Sequence, residues 1–339
     1  MSGPTGPTGA GAPDPTELER LFGDPDISEI LLNGGGRAFV ERAGRLEPVA
    51  VGLDETGVRR AVERIIAPLG LRLDRASPMV DARLPDGSRL HAVLAPVAVD
   101  GTCVAIRRFG PGRRVLADFG LTGSGAGLLR WAVGAGWNLL ISGGTGAGKT
   151  TLLNTLAGEF ATEERIVTIE ETAELALPQP HVVRLEARPA NAEGAGAVPV
   201  RSLVRAALRL RPDRLVLGEV RGEEAFDLLQ ALNTGHSGSL STIHANGPGD
   251  ALTRLENLVL LAGLGLPLSA IRAQIRAAVD AVVHVVRSPG GGRTVAAVAE
   301  LSRSGGLHLL YPPAPGGRPP TRPPRHAGVA AFTVGDGAC

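Results

Sequence analysis

The chain reads as an α/β protein in which a smaller α+β domain precedes a domain built on a mainly parallel sheet. Three observations carry that expectation. Between residues 137 and 243, short apolar runs alternate with segments of helical periodicity, the pattern of parallel strands covered by helices. Ahead of residue 110, apolar and polar residues alternate around turn signals such as Pro85-Asp86-Gly87-Ser88, the pattern of short antiparallel strands. Finally, Trp137–Ser142 (WNLLIS) runs into a glycine-rich loop and then into Thr151–Ala157, which begins a helix.

Bulk composition narrows the function classes. With 339 residues, 43% of them hydrophobic, the chain can bury a large core and has length for two domains. Lys plus Arg number 35 against 34 Asp plus Glu, and aromatics are 3%. Neither a global basic field nor a supply of stacking platforms therefore supports direct nucleic-acid binding. Cys103 and Cys339 are the only cysteines, which argues against disulfides and zinc and for a reducing compartment. The first residues, MSGPTGPTGAGAPDPT, have neither the basic region nor the apolar core of a secretory signal. The most apolar stretches, 128–142 and 258–268, are too short or too interrupted to span a bilayer. No transmembrane segment is expected, and any membrane role is peripheral.

In chain order, residues 1–14 read as a disordered tail and 15–109 as the α+β domain. Within it, residues 28–52 alternate around Gly34–Gly36 and Gly44 as short antiparallel strands. Asp54 is the expected N-cap of a helix carrying Val58, Ala61, Val62, Ile65 and Ile66 on one face and ending near Pro68. Residues 79–84 and 89–94 form a hairpin about Pro85–Ser88, and Val104–Ile106 is a further strand leading into Arg107 and Arg108. A Gly/Pro-containing passage over 110–126 is the expected linker. The second domain, 127–303, has expected strands at 137–142, 165–169, 214–218 and 239–243. Residues 304–339, including YPPAPGGRPPTRPPRHAG, favour extended polyproline segments over a packed core and read as a tail.

The chemistry begins at Gly143-Gly144-Thr145-Gly146-Ala147-Gly148-Lys149-Thr150, continued by Thr151. Glycines let backbone N–H groups curl round an anion, the helix N-terminus adds partial positive charge, and Lys149 reaches the outer phosphates. Thr150 is the expected ligand of a magnesium ion. Open parallel sheets bind ligands at the carboxyl ends of their strands, where this loop falls. ATP with Mg2+ is the ligand these residues imply.

Two further strands end in acids. Arg214–Gly218 delivers Glu219, which can hold magnesium or polarise the attacking water, and Ile166–Ile169 delivers Glu170 and Glu171. Glu170 is the preferred base for orienting water; Glu171 and Glu174 read equally well as a solvated helix start. His236 and His244 flank a short strand beside small hydroxyl residues. Without acidic or Cys ligands at suitable spacing they are no metal pair, whereas His244 at a strand end can sense the γ-phosphate.

The order of these segments, phosphate loop, TIEETAEL, LRLRPDRLVLGEVRGEEA and TGHSGSLSTIHANGPGDALTRLE, resembles the secretion ATPase superfamily, and within it the CpaF/TadA-like ATPases of pilus assembly and type II/IV secretion. The likeness extends to DPDISEILLNG and SPMVDARLPDGSRLHAVLAP, covering roughly residues 20–303. It implies a RecA-like P-loop ATPase core, and the names Asp box for the Glu170 segment, Walker B for the Glu219 segment and His box for the His236–His244 segment. It also implies a homo-hexameric cytoplasmic motor at the inner face of the cell membrane. ATP would lie between the two domains of a subunit, and a polytopic inner-membrane platform protein would be the partner. The family's Asp box usually reads Glu-Asp, whereas this chain has Glu170-Glu171. Cationic stabilisation of the transferring phosphoryl group falls to Arg83, Arg107 or Arg108 of the first domain, which the resemblance favours, or to Arg211 and Arg221. Two alternatives stand beside the secretion motor: a nucleic-acid translocase or conjugation-associated ATPase with the same core, and a non-catalytic ATP-binding scaffold.

Overall fold

The computed structural model describes residues 16–24, 26–42, 45–108, 114–188, 195–288, 291–312 and 319–332. Residues 1–14, expected as a tail, lie outside them. The chain forms two compact units, Met1–Gly112 and Arg113–Cys339.

The first unit opens with α1 (Thr16–Gly23), followed by strands β1 (Ile27–Asn33), β2 (Arg37–Arg42) and β3 (Arg45–Ala50). Helix α2 (Glu55–Ile66) comes next, then β4 (Met79–Arg83), β5 (Arg89–Val93) and β6 (Cys103–Arg107). The strands make a sheet in the order β3-β2-β1-β6-β5-β4, with every neighbouring pair antiparallel. Period-two alternation sends Ile30, Leu32, Val40, Leu90 and Ile106 into one core, where Val58, Val62 and Ile66 of α2 meet them. Asp54 caps α2 as its sequence position foretold, its carboxylate accepting from the Gly57 amide at 2.7 Å. Glu55 in the next position accepts from the Thr102 amide at 2.8 Å and so ties the helix start to the entry of β6.

The second unit contains α3 (Gly123–Gly134), β7 (Leu139–Gly143), α4 (Lys149–Ala157), β8 (Ile166–Glu170), β9 (Val182–Glu186), α5 (Val200–Ala207) and β10 (Arg214–Leu217). After these come α6 (Glu224–Asn233), β11 (Leu240–His244), α7 (Pro248–Leu261), α8 (Leu268–Ala278), β12 (Ala281–Arg287), β13 (Arg293–Leu301) and β14 (Leu307–Tyr311). Its sheet runs β14-β13-β12-β7-β11-β10-β8-β9; the strands from β12 to β9 are parallel and the last two additions antiparallel. Alternate side chains feed two cores. Leu139 and Ile141 join α3 and α4 on one face, while Leu140, Leu215 and Leu217 join α5 to α8 on the other. This is the mainly parallel, doubly covered sheet that the strand-helix alternation predicted, and it agrees with the RecA-like core that the family resemblance implies.

Two passages differ from their expected character. Of 110–126, residues 110–113 lie outside the described set, but Leu116 and Phe119 on a 3-10 turn and Leu121 after it are each 1% exposed in the core of the second unit. The Gly and Pro punctuation masked three apolar anchors. Beyond residue 303, β14 extends the sheet, and residues 319–332 lie against the second unit as a strap rather than a tail. Arg322 is 6% exposed and bonds Asp280 at 2.6 Å, while Glu300, fully buried, accepts from the Thr321 amide at 2.9 Å. Trp131 and Trp137 donate their indole N–H groups to the Ala330 and Pro323 carbonyls at 2.9 and 3.3 Å. Proline-rich extended chain has no internal hydrogen bonds, so side chains elsewhere can take up its carbonyls.

Candidate nucleotide-binding site

The phosphate loop starts where β7 meets its neighbours. Gly143 pairs with His244 of β11 across the parallel ladder, and a Cβ on Gly143 would lie 2.4 Å from the Val285 carbonyl oxygen of β12. Only glycine lets the strand end pass that close. The turn then uses left-handed backbone at Gly146 and Gly148, φ 68° and 97°, before α4 begins at Lys149. The residues expected to cradle phosphate are thus held as a loop at a helix N-terminus, with Thr150 and Thr151 half-buried in the first turn.

Lys149 is 7% exposed. Its Nζ donates to the Gly144 carbonyl at 3.0 Å and sits 3.3 and 3.2 Å from the two ring nitrogens of His244. The Nε2 of His244 lies 3.1 Å from Glu219 Oε1. Arg221 then donates to Glu219 Oε2 at 2.7 Å and to Glu171 Oε2 at 2.6 Å. Lys149, His244, Glu219, Arg221 and Glu171 therefore form one continuous charged array along the carboxyl ends of β7, β11, β10 and β8. Backbone geometry supports it. Thr242 donates its hydroxyl to the Gly218 carbonyl at 2.6 Å, and Glu224 accepts from the Arg221 and Gly222 amides at 2.6 and 2.8 Å.

Burial is the main cause lowering the pKa of both Lys149 and His244, while the Glu219 charge opposes it in each. Lys149 further lowers that of His244, which favours a neutral imidazole able to accept from the ammonium. The hydrogen bond to Glu219 holds the Arg221 guanidinium above its ordinary range.

The donor set fits a magnesium ion. Glu219 Oε1 is buried and, although 3.1 Å from His244 Nε2, has no hydrogen-bond partner among the described residues. No group of three His, Cys, Asp or Glu side chains among the described residues makes a self-contained metal cage. A magnesium ion takes one or two protein oxygens and completes its shell with phosphate and water, and Glu219 Oε1 offers such an oxygen.

The two acids at the end of β8 divide otherwise than expected. Glu170, the preferred base, is 3% exposed, and its carboxylate accepts from the Glu174 amide at 2.8 Å and the Leu175 amide at 3.0 Å. Its hydrogen bonds among the described residues do not reach the array; it anchors the loop after β8. Gly218 makes room, since a Cβ there would meet Glu170 Cγ at 2.9 Å. Desolvation raises the Glu170 pKa to about 7 against the lowering by those amides. Glu171, where the family's Asp box usually has Asp, is the acid that joins Arg221.

Other expected residues lie elsewhere. His236 precedes β11 at its amino end and engages the Ala231 carbonyl at 3.1 Å, whereas His244 closes the carboxyl end. A strand advances about 3.3 Å per residue, so the two histidines occupy opposite edges of the sheet and only His244 joins the array. Arg83 and Arg107 end β4 and β6 in the first unit. Arg108 follows, its guanidinium donating to the carbonyls of Asp24 and Ile27, a structural engagement that runs against a free nucleotide contact. Sequence reasoning missed Arg287 and Arg293, which face each other across the β12–β13 ladder and approach the phosphate loop. The only signal was a cation at each end of the Gly-rich turn after β12.

Comparison with known proteins gives the family. The family described as "Type II/IV secretion system protein" matches residues 12–301. PtlH of Bordetella pertussis, a type IV secretion system protein, is 38% identical over 306 residues, 79% of this chain and 87% of its own. The conjugal transfer protein TrbB of Rhizobium radiobacter is 35% identical over 285 residues, 82% of this chain and 84% of its own. Among solved structures, the Legionella pneumophila ATPase DotB superposes with a TM-score of 0.63 at 20% identity, covering 88% of this chain and 83% of its own, a likeness of fold. The chain belongs to the type II/IV secretion family.

Proposed function

We propose that this member of the family hydrolyses ATP and works as a hexameric ring that powers a secretion or conjugal-transfer apparatus, or assembly of a pilus. The observation that supports it is the array itself: the phosphate-loop Lys149 and the acid Glu219 share His244, so the group that grips phosphate and the group that handles water or metal are linked by one imidazole. Lys149 neutralises charge on the outer phosphates. Glu219, with an uncommitted buried oxygen, accepts the proton of the attacking water or holds magnesium together with Thr150. Bound magnesium would supply charge neutralisation on the phosphates. Arg221 fixes Glu219 and links it to Glu171, which ties the state of the site to the loop after β8. His244 changes partner between Lys149 and Glu219 as phosphate comes and goes.

A transport machine is favoured over a free nucleic-acid translocase because basic and acidic residues balance at 35 and 34. The relatives named for type IV secretion and conjugal transfer point to the same class of apparatus. A platform protein in the membrane is the partner this reading requires; no described helix is long and apolar enough to cross a bilayer itself. Movement of the first unit, with Arg83 and Arg107 sensing nucleotide, would be the mechanical output.

The test is steady-state ATP turnover, with sedimentation run on the same samples to follow ring formation. Lys149→Ala is expected to lose turnover by more than about 100-fold, and Glu219→Gln to lose it similarly while still binding nucleotide. Wild-type turnover by the Lys149 variant would remove the phosphate loop from the mechanism. A chain that hydrolyses ATP equally well as a monomer would remove the ring.

A further inference from the structure

In β7, LLISG, Ser142 is the one polar side chain, and in β12, AVVHVVR, His284 is the one polar side chain ahead of the terminal arginine. The two stand directly opposite each other in the parallel β7–β12 ladder. Ser142 Oγ and His284 Nδ1 lie 2.9 Å apart, with Ser142 fully buried and His284 8% exposed. Alternation turns both toward the face where Leu140, Ile243 and Val282 pack with Ala251 of α7, the helix that covers both strands there. Two apolar residues would fill that face without a desolvation cost, so a buried polar pair in it answers another demand. Burial lowers the His284 pKa, against the opposing charge of Asp250 in the first turn of α7. A neutral imidazole can accept from the Ser142 hydroxyl or donate to it.

Position in the ladder identifies the demand. Ser142–His284 is the last registered pair between β7 and β12, and the phosphate loop starts at the next residue, Gly143. On β12 the next residue is Val285, whose carbonyl oxygen would meet a Gly143 Cβ at 2.4 Å. At the same step the β12–β13 ladder shifts register, His284 facing Ala297 and Val285 facing Val295. Such irregularities bend strands and gather beside active sites. The wall of the loop's root therefore bends at His284, and the Ser142–His284 bond is the side-chain tie at that bend.

We propose that His284 is a positioning residue for ATP hydrolysis: through Ser142 it fixes the root of the phosphate loop, and so sets where Lys149 stands relative to His244 and Glu219. The inference rests on the reading of the site as an ATPase site. On its other edge the root is held by the Gly143–His244 pairing with β11. A root free to slide on the β12 side changes the 3.3 and 3.2 Å separations of Lys149 Nζ from the His244 ring nitrogens. Misplacement of that kind costs rate, whereas the loop amides move together and keep their grip on phosphate.

The experiment measures ATP turnover, ADP affinity by calorimetry and nucleotide-free melting for the full chain and four variants: His284→Leu, His284→Asn, Ser142→Ala and the double variant His284→Leu with Ser142→Ala. Turnover is taken well below the lowest melting temperature. His284→Leu strands the Ser142 hydroxyl and should lower the melting temperature, and kcat about tenfold or more, with ADP affinity within about threefold. Ser142→Ala should lower kcat to a similar extent. Asn places an amide near the Nδ1 position, so His284→Asn should keep kcat within about threefold of the unsubstituted chain. In the double variant no polar group is stranded, so the melting temperature should recover while kcat stays low. A merely structural pair would let kcat return with the melting temperature, and that result overturns the inference. So does an unchanged kcat in a folded His284→Leu or Ser142→Ala chain, or a His284→Asn variant as slow as His284→Leu. Should His284→Leu alone fail to fold, the other three variants carry the same comparison. An unsubstituted chain that does not hydrolyse ATP would instead sink the ATPase reading.

Discussion

Glu170 is a carboxyl group buried beneath the site and held by two backbone amides, and its chemistry is tuned for anchoring. Burial raises its pKa from the ordinary glutamate value of 4.5 to about 7 in the folded chain. The folded state therefore retains a proton that the unfolded chain has released between those two pH values. Stability contributed by the protonated form is full below about pH 4.5 and is lost as pH rises to about 7. Glu170→Gln keeps a neutral acceptor for the Glu174 and Leu175 amides and removes the titration. Denaturant unfolding across pH 4.5 to 8 should then lose a slope worth on the order of 2–3 kcal/mol, relative to the unsubstituted chain. An unchanged pH profile would mean that Glu170 is ionised throughout. The adjacent Glu171 has the opposite situation, half-exposed and spent on Arg221. The sequence reading preferred Glu170 to Glu171 as the base, with only their order along the chain to tell them apart. Glu170 is the last residue of β8 and Glu171 the first beyond it, and which of them meets the loop amides was settled by where the chain after β8 turns back, with the Glu174 and Leu175 amides over Glu170.

At the scale of elements, the β7–loop–α4 unit is constrained by what its glycines touch. Gly143 abuts the Val285 carbonyl at a notional 2.4 Å, whereas Gly144 has nothing within 4 Å of a built Cβ and needs no positive φ. Gly143→Ala should therefore push β7 from β12 and cost about 2–3 kcal/mol in thermal or denaturant unfolding, while Gly144→Ala should stay within about 0.5 kcal/mol. Equal effects would show that the strand ends tolerate separation. The loop itself was legible in the sequence because its work is local: chain curvature, a helix N-terminus and one lysine, all within eight residues. The strand ends carrying Glu219 and His244 were legible for a related reason, since apolar runs stopping at a polar residue mark the carboxyl edge of a parallel sheet. His236 was misleading because it shares a motif with His244 but stands at the other end of β11. Arg293 left almost no trace, because only the antiparallel hairpin after β12 folds it back onto the loop.

For the whole molecule, the C-terminal strap closes the second unit. Asp280 is 2% exposed and receives both Arg322 and Arg325, at 2.6 Å each, while also accepting from the Asn138 amide at 2.8 Å at the entry to β7. The strap is thereby tied to the strand that feeds the phosphate loop. Removing Arg322 leaves a buried carboxylate with one fewer counter-charge and Glu300 with a loosened partner strand. Arg322→Ala should lower stability by about 3 kcal/mol, and truncation after Pro312 by at least as much, both read by guanidinium unfolding. A truncated chain as stable as the full one would make the strap an ornament of the surface.

The sequence by itself determined the two-part architecture, the phosphate-binding loop and the family, because these rest on short-range periodicity and contiguous motifs whose physics is complete within a few residues. Tertiary structure alone decided which of two neighbouring glutamates faces the site, which of two histidines reaches it, that Arg293 lies along the loop, and that a proline-rich terminus becomes a strap. Each of those depends on which residues distant in the chain come within a few ångströms, and that is set by strand order and packing, to which local pattern is blind.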